Sequence, residues 1–223
     1  MNLVVIGAGQ LGESVVALAA AGGHNVVVVE SNPDKAAHCA ETYDVRVMGA
    51  DIADDDVAGE ASLDKARAVI ATTGDDSANL MAMFLAREAG SRMLATVVNH
   101  RSHQRLFEKL GARVLVDPEL LLAQHLLDIV MHPGTADVTT LAGNKQILDV
   151  RLTPEAPVTG RTPAELAPEL DEQGLQLVAT ERDERRTFPE ADRPLAAGDL
   201  VTLFALGPTD REDLLPFLGN LGP

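Results

Sequence analysis

Apolar positions along this chain fall into short continuous runs separated by stretches with helical spacing. The runs at residues 2–6, 25–30, 45–48, 67–72, 92–98 and 113–116 are dominated by Val, Ile, Leu and Ala. Near-continuous apolar runs of that length are what strands covered on both faces require. Between them apolar residues recur three and four apart, as at Val15, Val16, Leu18 and Ala19. Six strands alternating with helices predict an α/β fold built on a doubly wound parallel sheet. Asn32 followed by Pro33 marks one helix start, a capping side chain ahead of a residue whose missing N–H costs nothing there. Another helix is expected from Asp75 to Arg87, with Leu80, Met83, Phe84 and Leu85 as its apolar face.

The pattern changes after the sixth run. In DPELLLAQHLLDIVMHPG, residues 117–134, Asp117 caps a helix, Pro118 opens it and Glu119 sets negative charge at its positive end, while Pro133 and Gly134 stop it. Leu120, Leu121, Leu122, Leu126, Leu127, Ile129, Val130 and Met131 run nearly all the way round it. A helix so apolar is expected to be buried on several sides, by its own domain and by another subunit. Beyond it, residues 137–152, 174–180, 184–188 and 199–206 read as strands, and 162–170 and 209–218 as helices. The expected organisation is a sheet domain over 1–117, a connecting and dimerising helix over 118–134, and a small α+β lobe over 135–223.

Charge and composition narrow the partners. The net charge of −16, from 34 acidic against 18 basic residues, repels phosphate backbones, and 3% aromatic residues leave no stacking platform, so nucleic acid is excluded as a partner. With no Trp and one Tyr, the core must be aliphatic. Cys39 is the only cysteine, which fits a reducing compartment and a packing role. No apolar run approaches the roughly 18 residues of a membrane span, and the N-terminus lacks a signal-peptide pattern. A soluble chain is expected, with any membrane role exercised through a partner.

The first strand leads directly into Gly7, Gly9 and Gly12 within LVVIGAGQLG, and Glu30 closes the second strand, VVVVE. The three glycines serve different ends. Gly7 permits the tight turn into the helix, Gly9 lets backbone approach a phosphate, and Gly12 lets the helix lie close on the sheet. The helix starting near Gln10 aims free N–H groups and its positive end at that phosphate. Glu30 stands where a carboxylate accepts hydrogen bonds from ribose hydroxyls.

With those motifs, GAD at 49–51, ATTGDDSANL at 71–80, LGARVLVDPE at 110–119, TGRTPAEL at 159–166 and PLAAGDLVTLFA at 194–205, the chain resembles the regulator-of-potassium-conductance family of the Trk/Ktr type. The resemblance covers about residues 1–207 and implies a Rossmann-like lobe binding NAD(H) or ATP/ADP, followed by a small C-terminal lobe. It also implies a cytoplasmic subunit, peripheral at the inner face of the membrane, whose homodimers assemble into a ring, an octamer, beneath a potassium transporter or channel. Nucleotide exchange would reshape that ring. The helix over 118–132 matches the family's crossover helix. Carried over residue by residue, Gly7, Ala8, Gly9, Gln10, Leu11 and Gly12 would surround phosphate, Glu30 ribose, and Asp51 with Ile52 the adenine. Thr73, Gly74, Asp75 and Asn79 would line the far side, across the topological switch point. Glu119 matches a position where a carboxylate shares a divalent cation with nucleotide at the dimer seam.

Several of these residues also suit purely structural roles. Asp51 also fits a solvated turn, Asp75 a helix cap and Glu119 simple helix-dipole stabilisation. The pairs His100 with His103 and His125 with His132 suit polar contacts as well as metal or pH sensing. The chain departs from ATP-responsive relatives in having Gln10 where an Arg reaches the terminal phosphate, and Thr96, Val97 and Val98 where a second basic residue stands. Each missing contact removes about 1.5–3 kcal/mol, which leaves ATP/ADP discrimination open and turns the reading toward NAD(H). Glu30 disfavours the 2′-phosphate of NADP. Arg46 or Arg92 is the alternative source of a phosphate-directed cation. An NAD-dependent oxidoreductase is the competing function, but residues 135–223 hold no His or Cys and only Lys145 as a lysine, a poor supply of proton donors beside a nicotinamide. A nucleotide sensor unrelated to ion transport differs only in its partner.

Overall fold

The computed structural model describes residues 1–132, 134–141 and 143–219. The expected helix stop at Pro133 and residues 220–223 of the expected C-terminal lobe lie outside the described residues. Two compact units make up the chain, Met1–Glu119 and Leu120–Pro223.

The first unit runs β1 (Asn2–Ile6), α1 (Gln10–Ala21), β2 (Asn25–Glu30), α2 (Pro33–Thr42), β3 (Arg46–Gly49), α3 (Val57–Glu60), β4 (Ala68–Ala71), α4 (Asp76–Glu88), β5 (Met93–Val98), α5 (Gln104–Lys109) and β6 (Arg113–Val116). Its strands form one parallel sheet in the order β3-β2-β1-β4-β5-β6. Alternate residues of β1 serve opposite faces, as the period of two demands. Leu3 and Val5 cluster with Val16 of α1 and Cys39 of α2. Val4 and Ile6 cluster with Ala82 and Met83 of α4. Because β1 pairs with β2 on one side and β4 on the other, the winding reverses between β1 and β4, and a crevice opens outside their carboxyl ends.

Two local outcomes differ from the sequence pattern. The buried face of α4 is Asn79, Ala82, Met83 and Ala86, while Phe84 is 47% exposed. Small alanines let this helix lie close to the sheet, so the large side chain at position 84 turns outward. Between β3 and β4 the chain makes only the single-turn α3 and a 3-10 turn at Leu63–Lys65, because DIADDDVAGE lacks an apolar stripe long enough for a full helix.

In the second unit α6 (Pro118–Met131), which begins at the end of the first, is followed by β7 (Thr135–Thr140), β8 (Gln146–Arg151), α7 (Pro163–Glu172), β9 (Leu175–Arg182), β10 (Arg185–Thr187), β11 (Leu200–Ala205) and α8 (Arg211–Leu218). The sheet is antiparallel, in the order β10-β9-β11-β8-β7. The apolar run at 137–152 is broken into a hairpin where Gly143 and Asn144 take φ of +78° and 59° and Leu141 N–H donates to Lys145 O at 2.7 Å. Thr162 and Glu165 form a reciprocal capping box on α7. Leu148, Val150, Leu166, Val201, Leu203 and Phe217 fill the core.

The apolar surface of α6 is only partly covered by its own unit. Its eight large apolar residues from Leu120 to Met131 remain 50–72% exposed, so its own unit supplies only part of the cover that so apolar a helix is expected to have. The side chain buried instead is Asp128, whose carboxylate accepts from Gln124 Nε2 at 2.8 Å and the Thr140 hydroxyl at 2.7 Å. A short polar side chain hydrogen-bonded to β7 turns the apolar faces outward.

Candidate functional site

The glycine loop is shaped by contacts that a side chain would break. Gly7 holds φ +93°, its N–H donates to Val29 O at 2.8 Å, and a Cβ there would stand 2.9 Å from Thr73 Cγ2. At Gly12 a Cβ would lie 2.0 Å from Gly7 O and 2.6 Å from Thr72 Oγ1, so this glycine sets how closely α1 crosses the loop. Thr72 locks that crossing by donating its hydroxyl to Gly7 O at 2.9 Å. Gly9 differs: nothing lies within 4 Å of its Cβ position. As the N-cap of α1 it supplies no side-chain hydrogen bond, which leaves the first N–H groups of the helix facing outward with the positive end of the dipole.

A cavity of about 340 Å³ follows the carboxyl ends of the strands beside this loop. Of the residues expected at the site, Gly7, Gly9, Glu30, Asp51, Ile52, Thr73, Gly74 and Asp75 line it. Asp51 is exposed and its Oδ1 accepts from Ala53 N–H at 2.9 Å, so the turn role and the lining role coincide. Asp75 likewise caps α4, accepting from Ser77 N–H at 2.7 Å.

Others expected there stand elsewhere. Asn79 is fully buried and spends its amide on the β4–α4 turn, accepting from Thr73 N–H and hydroxyl at 3.0 and 2.8 Å and donating to Thr73 O and Val97 O at 2.9 and 3.3 Å. It shapes the cavity wall without lining it. Ala8, Gln10, Leu11 and Gly12 are also outside the lining, with Gln10 exposed on the first turn of α1. Arg46 and Arg92 lie at the amino ends of β3 and β5, the opposite edge of the sheet. The cation that does line the cavity is Lys35, on the first turn of α2. Its place was legible: Asn32 Oδ1 caps α2 by accepting from Asp34 and Lys35 N–H at 3.0 and 3.1 Å, so a helix separated from the Glu30 strand by only two residues had to present position 35 near the crevice.

A profile of the TrkA-N domain matches residues 3–118, slightly more than half of the chain. The chain belongs to the TrkA-N domain family. It is 26% identical over 220 residues to a Trk system potassium uptake protein TrkA homolog of Methanothermobacter thermautotrophicus, covering 98% of this chain and 100% of that one. It is 27% identical over 218 residues to the Trk system potassium uptake protein TrkA of Mycobacterium tuberculosis, covering 95% and 96%. Among solved structures the GsuK channel superposes with a TM-score of 0.63 at 22% identity, over 98% of this chain and 39% of that chain. At that identity the match establishes the fold, a Rossmann-like lobe followed by a small α+β lobe.

Within this TrkA-N domain a second polar node, not anticipated from the pattern, backs the crevice. Asp76 is 8% exposed and accepts from Asn99 N–H and Nδ2 at 2.8 and 3.0 Å, His100 N–H at 3.0 Å and the His103 ring at 2.8 Å. Burial works to raise its pKa, but the Asn99 and His100 backbone N–H groups and His103 outweigh it and hold the carboxyl below its ordinary range. Asn99 also donates to Thr73 O at 3.2 Å, tying the loop after β5 to the cavity wall. His125 and His132 meet backbone carbonyls, Val138 O at 3.0 Å and Asp128 O with Thr209 O at 2.9 and 2.8 Å. Among the described residues no group of three or more His, Cys, Asp or Glu is placed to hold a metal, so Glu119, exposed on the first turn of α6, offers a single carboxylate. No helix among them is long and apolar enough to cross a membrane.

Proposed function

We propose that this chain is a nucleotide-sensing regulatory subunit of a potassium uptake system, working without chemical turnover. The observation that carries the reading is the crevice itself, where an uncapped helix N-terminus, open space over Gly9, and the carboxylates Glu30 and Asp51 line one cavity. Phosphate suits the helix N-terminus, ribose hydroxyls suit Glu30, and an adenine amino group suits Asp51. Thr73, Gly74 and Asp75 bound the far side and Lys35 adds a cation. NAD(H) and ATP/ADP both match this chemistry. Support comes from relatives named Trk system potassium uptake protein that share nearly the whole chain, and from fold neighbours described as a GsuK channel bound to NAD and GsuK bound to ADP.

In this proposal residues 1–117 sense the nucleotide, 118–134 join two copies through the exposed apolar surface of α6, and 135–223 complete the subunit. Dimers close into a ring, an octamer, against a potassium transporter or channel at the cytoplasmic face of the membrane. A nucleotide drives the ring between shapes only by binding one of them more tightly. A divalent cation would need ligands beyond Glu119, from the nucleotide or a second copy, and no step is assigned to it.

The test is a thermal-shift panel of ATP, ADP, NAD and NADH, with and without magnesium. At a hundred times Kd a ligand adds about 2.7 kcal/mol, equivalent to roughly 5–10 °C for a chain of this size. The proposal is overturned if none of the four moves the midpoint, or if substrate-dependent oxidation of NADH persists in purified protein.

A further inference from the structure

We infer that Glu30 is the positioning residue of the glycine loop, holding the loop's backbone from the tip of β2 independently of any contact with ribose. The part of this inference that concerns affinity rests on the adenine-nucleotide reading of the crevice. Glu30 is 7% exposed, and among the described residues no ion pair includes it. A buried carboxylate without a cation is costly unless N–H groups satisfy it. Here they do: Ala8 N–H donates to Oε2 at 2.5 Å and Asn32 N–H to Oε1 at 2.7 Å.

These two bonds have different consequences. The Asn32 contact fixes the start of α2, whereas the Ala8 contact reaches across to the loop leaving β1. Together with Gly7 N–H on Val29 O, it ties two successive loop amides to β2 just before the chain turns into α1. The uncapped N–H groups from Gly9 onward therefore aim at a fixed point in the cavity. Each carboxylate oxygen retains a further lone pair, so one group can serve loop and ribose together. A glutamine cannot replace it, because its single acceptor oxygen meets one of the two backbone N–H groups while its NH₂ opposes the other.

The experiment compares wild type with Glu30→Gln in the full chain. Peptide-level hydrogen exchange reads the segment containing residues 3–12, and calorimetry reads the affinities for ADP and for 2′,3′-dideoxy-ADP, which lacks the ribose hydroxyls. The expected result is exchange in that segment accelerated at least tenfold, the other strands of the sheet unchanged, and affinity for the dideoxy nucleotide lowered at least fivefold. Unchanged exchange in the loop overturns the inference, as does unchanged dideoxy-ADP affinity, since Glu30 would then act through ribose alone. Acceleration across the whole sheet overturns it too, by showing a general structural role. If wild type binds neither nucleotide the proposed function fails, while the exchange measurement still decides whether Glu30 holds the loop.

Discussion

Replacing Gly12 and Gly9 one at a time by alanine separates the close packing of α1 from the proposed phosphate contact of the same glycine-rich loop. A Cβ on Gly12 would sit 2.0 Å from Gly7 O and 2.6 Å from Thr72 Oγ1, at least roughly 1 Å inside contact distance. Both neighbours are held, the Gly7 carbonyl by the loop and the Thr72 hydroxyl by its 2.9 Å hydrogen bond to that carbonyl, so α1 has to lift. Overpacking costs about 1–3 kcal/mol and loss of the Thr72 bond about 1 kcal/mol. Alanine's helix propensity returns only about 0.5–1 kcal/mol. Steric strain wins, and Gly12→Ala is expected to lose about 2–3 kcal/mol, a fall of roughly 5–10 °C in the thermal midpoint. Gly9 has φ −67°, which alanine adopts freely, and nothing within 4 Å of its Cβ position. Gly9→Ala should therefore cost under about 1 kcal/mol, the difference between Gly and Ala as an N-cap, yet weaken ADP or NAD(H) binding at least tenfold by filling the space a phosphate needs. Circular dichroism melts with and without ligand measure both quantities. A Gly12→Ala protein as stable as wild type would refute the packing argument, and a Gly9→Ala protein with unchanged affinity would refute the phosphate position.

Two further outcomes follow from charged groups. Lys35 lines the cavity and is in none of the ion pairs among the described residues, so Lys35→Ala should weaken nucleotide binding by about 1 kcal/mol, roughly fivefold, with a shallower salt dependence and an unchanged midpoint; equal affinities in calorimetry would remove it from the site. In the second unit Asp199 is 3% exposed and accepts from Arg182 Nε and Nη2 at 2.6 Å each and from Ala196 N–H at 2.8 Å. Burial pushes its pKa up, but the guanidinium and the backbone N–H hold it below the ordinary carboxyl range. Its contribution is complete above the unfolded value near 3.9 and is lost as pH falls from there through the depressed folded value. Asp199→Asn should cost about 2–3 kcal/mol at pH 7, less than for a fully buried pair because Arg182 is one-third exposed. Denaturant titrations from pH 7 to pH 2 should show the variant's deficit shrinking below about pH 4; a constant deficit would refute the assignment.

Strand positions, the glycine turn and most helix starts were written locally. Continuous β-branched runs, Asn32–Pro33, and Thr162 with Glu165 each specify their element through interactions within a few residues of themselves, which is why β1 and β2 occupy the expected positions. The same holds for Gly7 and Gly12, whose need for no side chain follows from the turn and the helix crossing. Long-range placement was another matter. Asn79 reads as a ligand contact in sequence but is buried against Thr73 and Val97, and Asp76, close to it in sequence, gathers Asn99, His100 and His103 from a loop more than twenty residues away. Phe84 counts as core by its type and turns outward because the smaller Ala82 and Ala86 take the sheet-facing positions.

The sequence by itself determined an alternating fold, a tight glycine loop after β1 and a carboxylate at the end of β2, because periodicity and backbone sterics act over short distances. Only the tertiary structure decided which backbone N–H groups that carboxylate accepts from, which cation faces the cavity, and that α6 turns its apolar residues outward around a buried Asp128. Those outcomes depend on which groups meet across the fold, where a burial cost incurred by one segment is offset by hydrogen bonds from another.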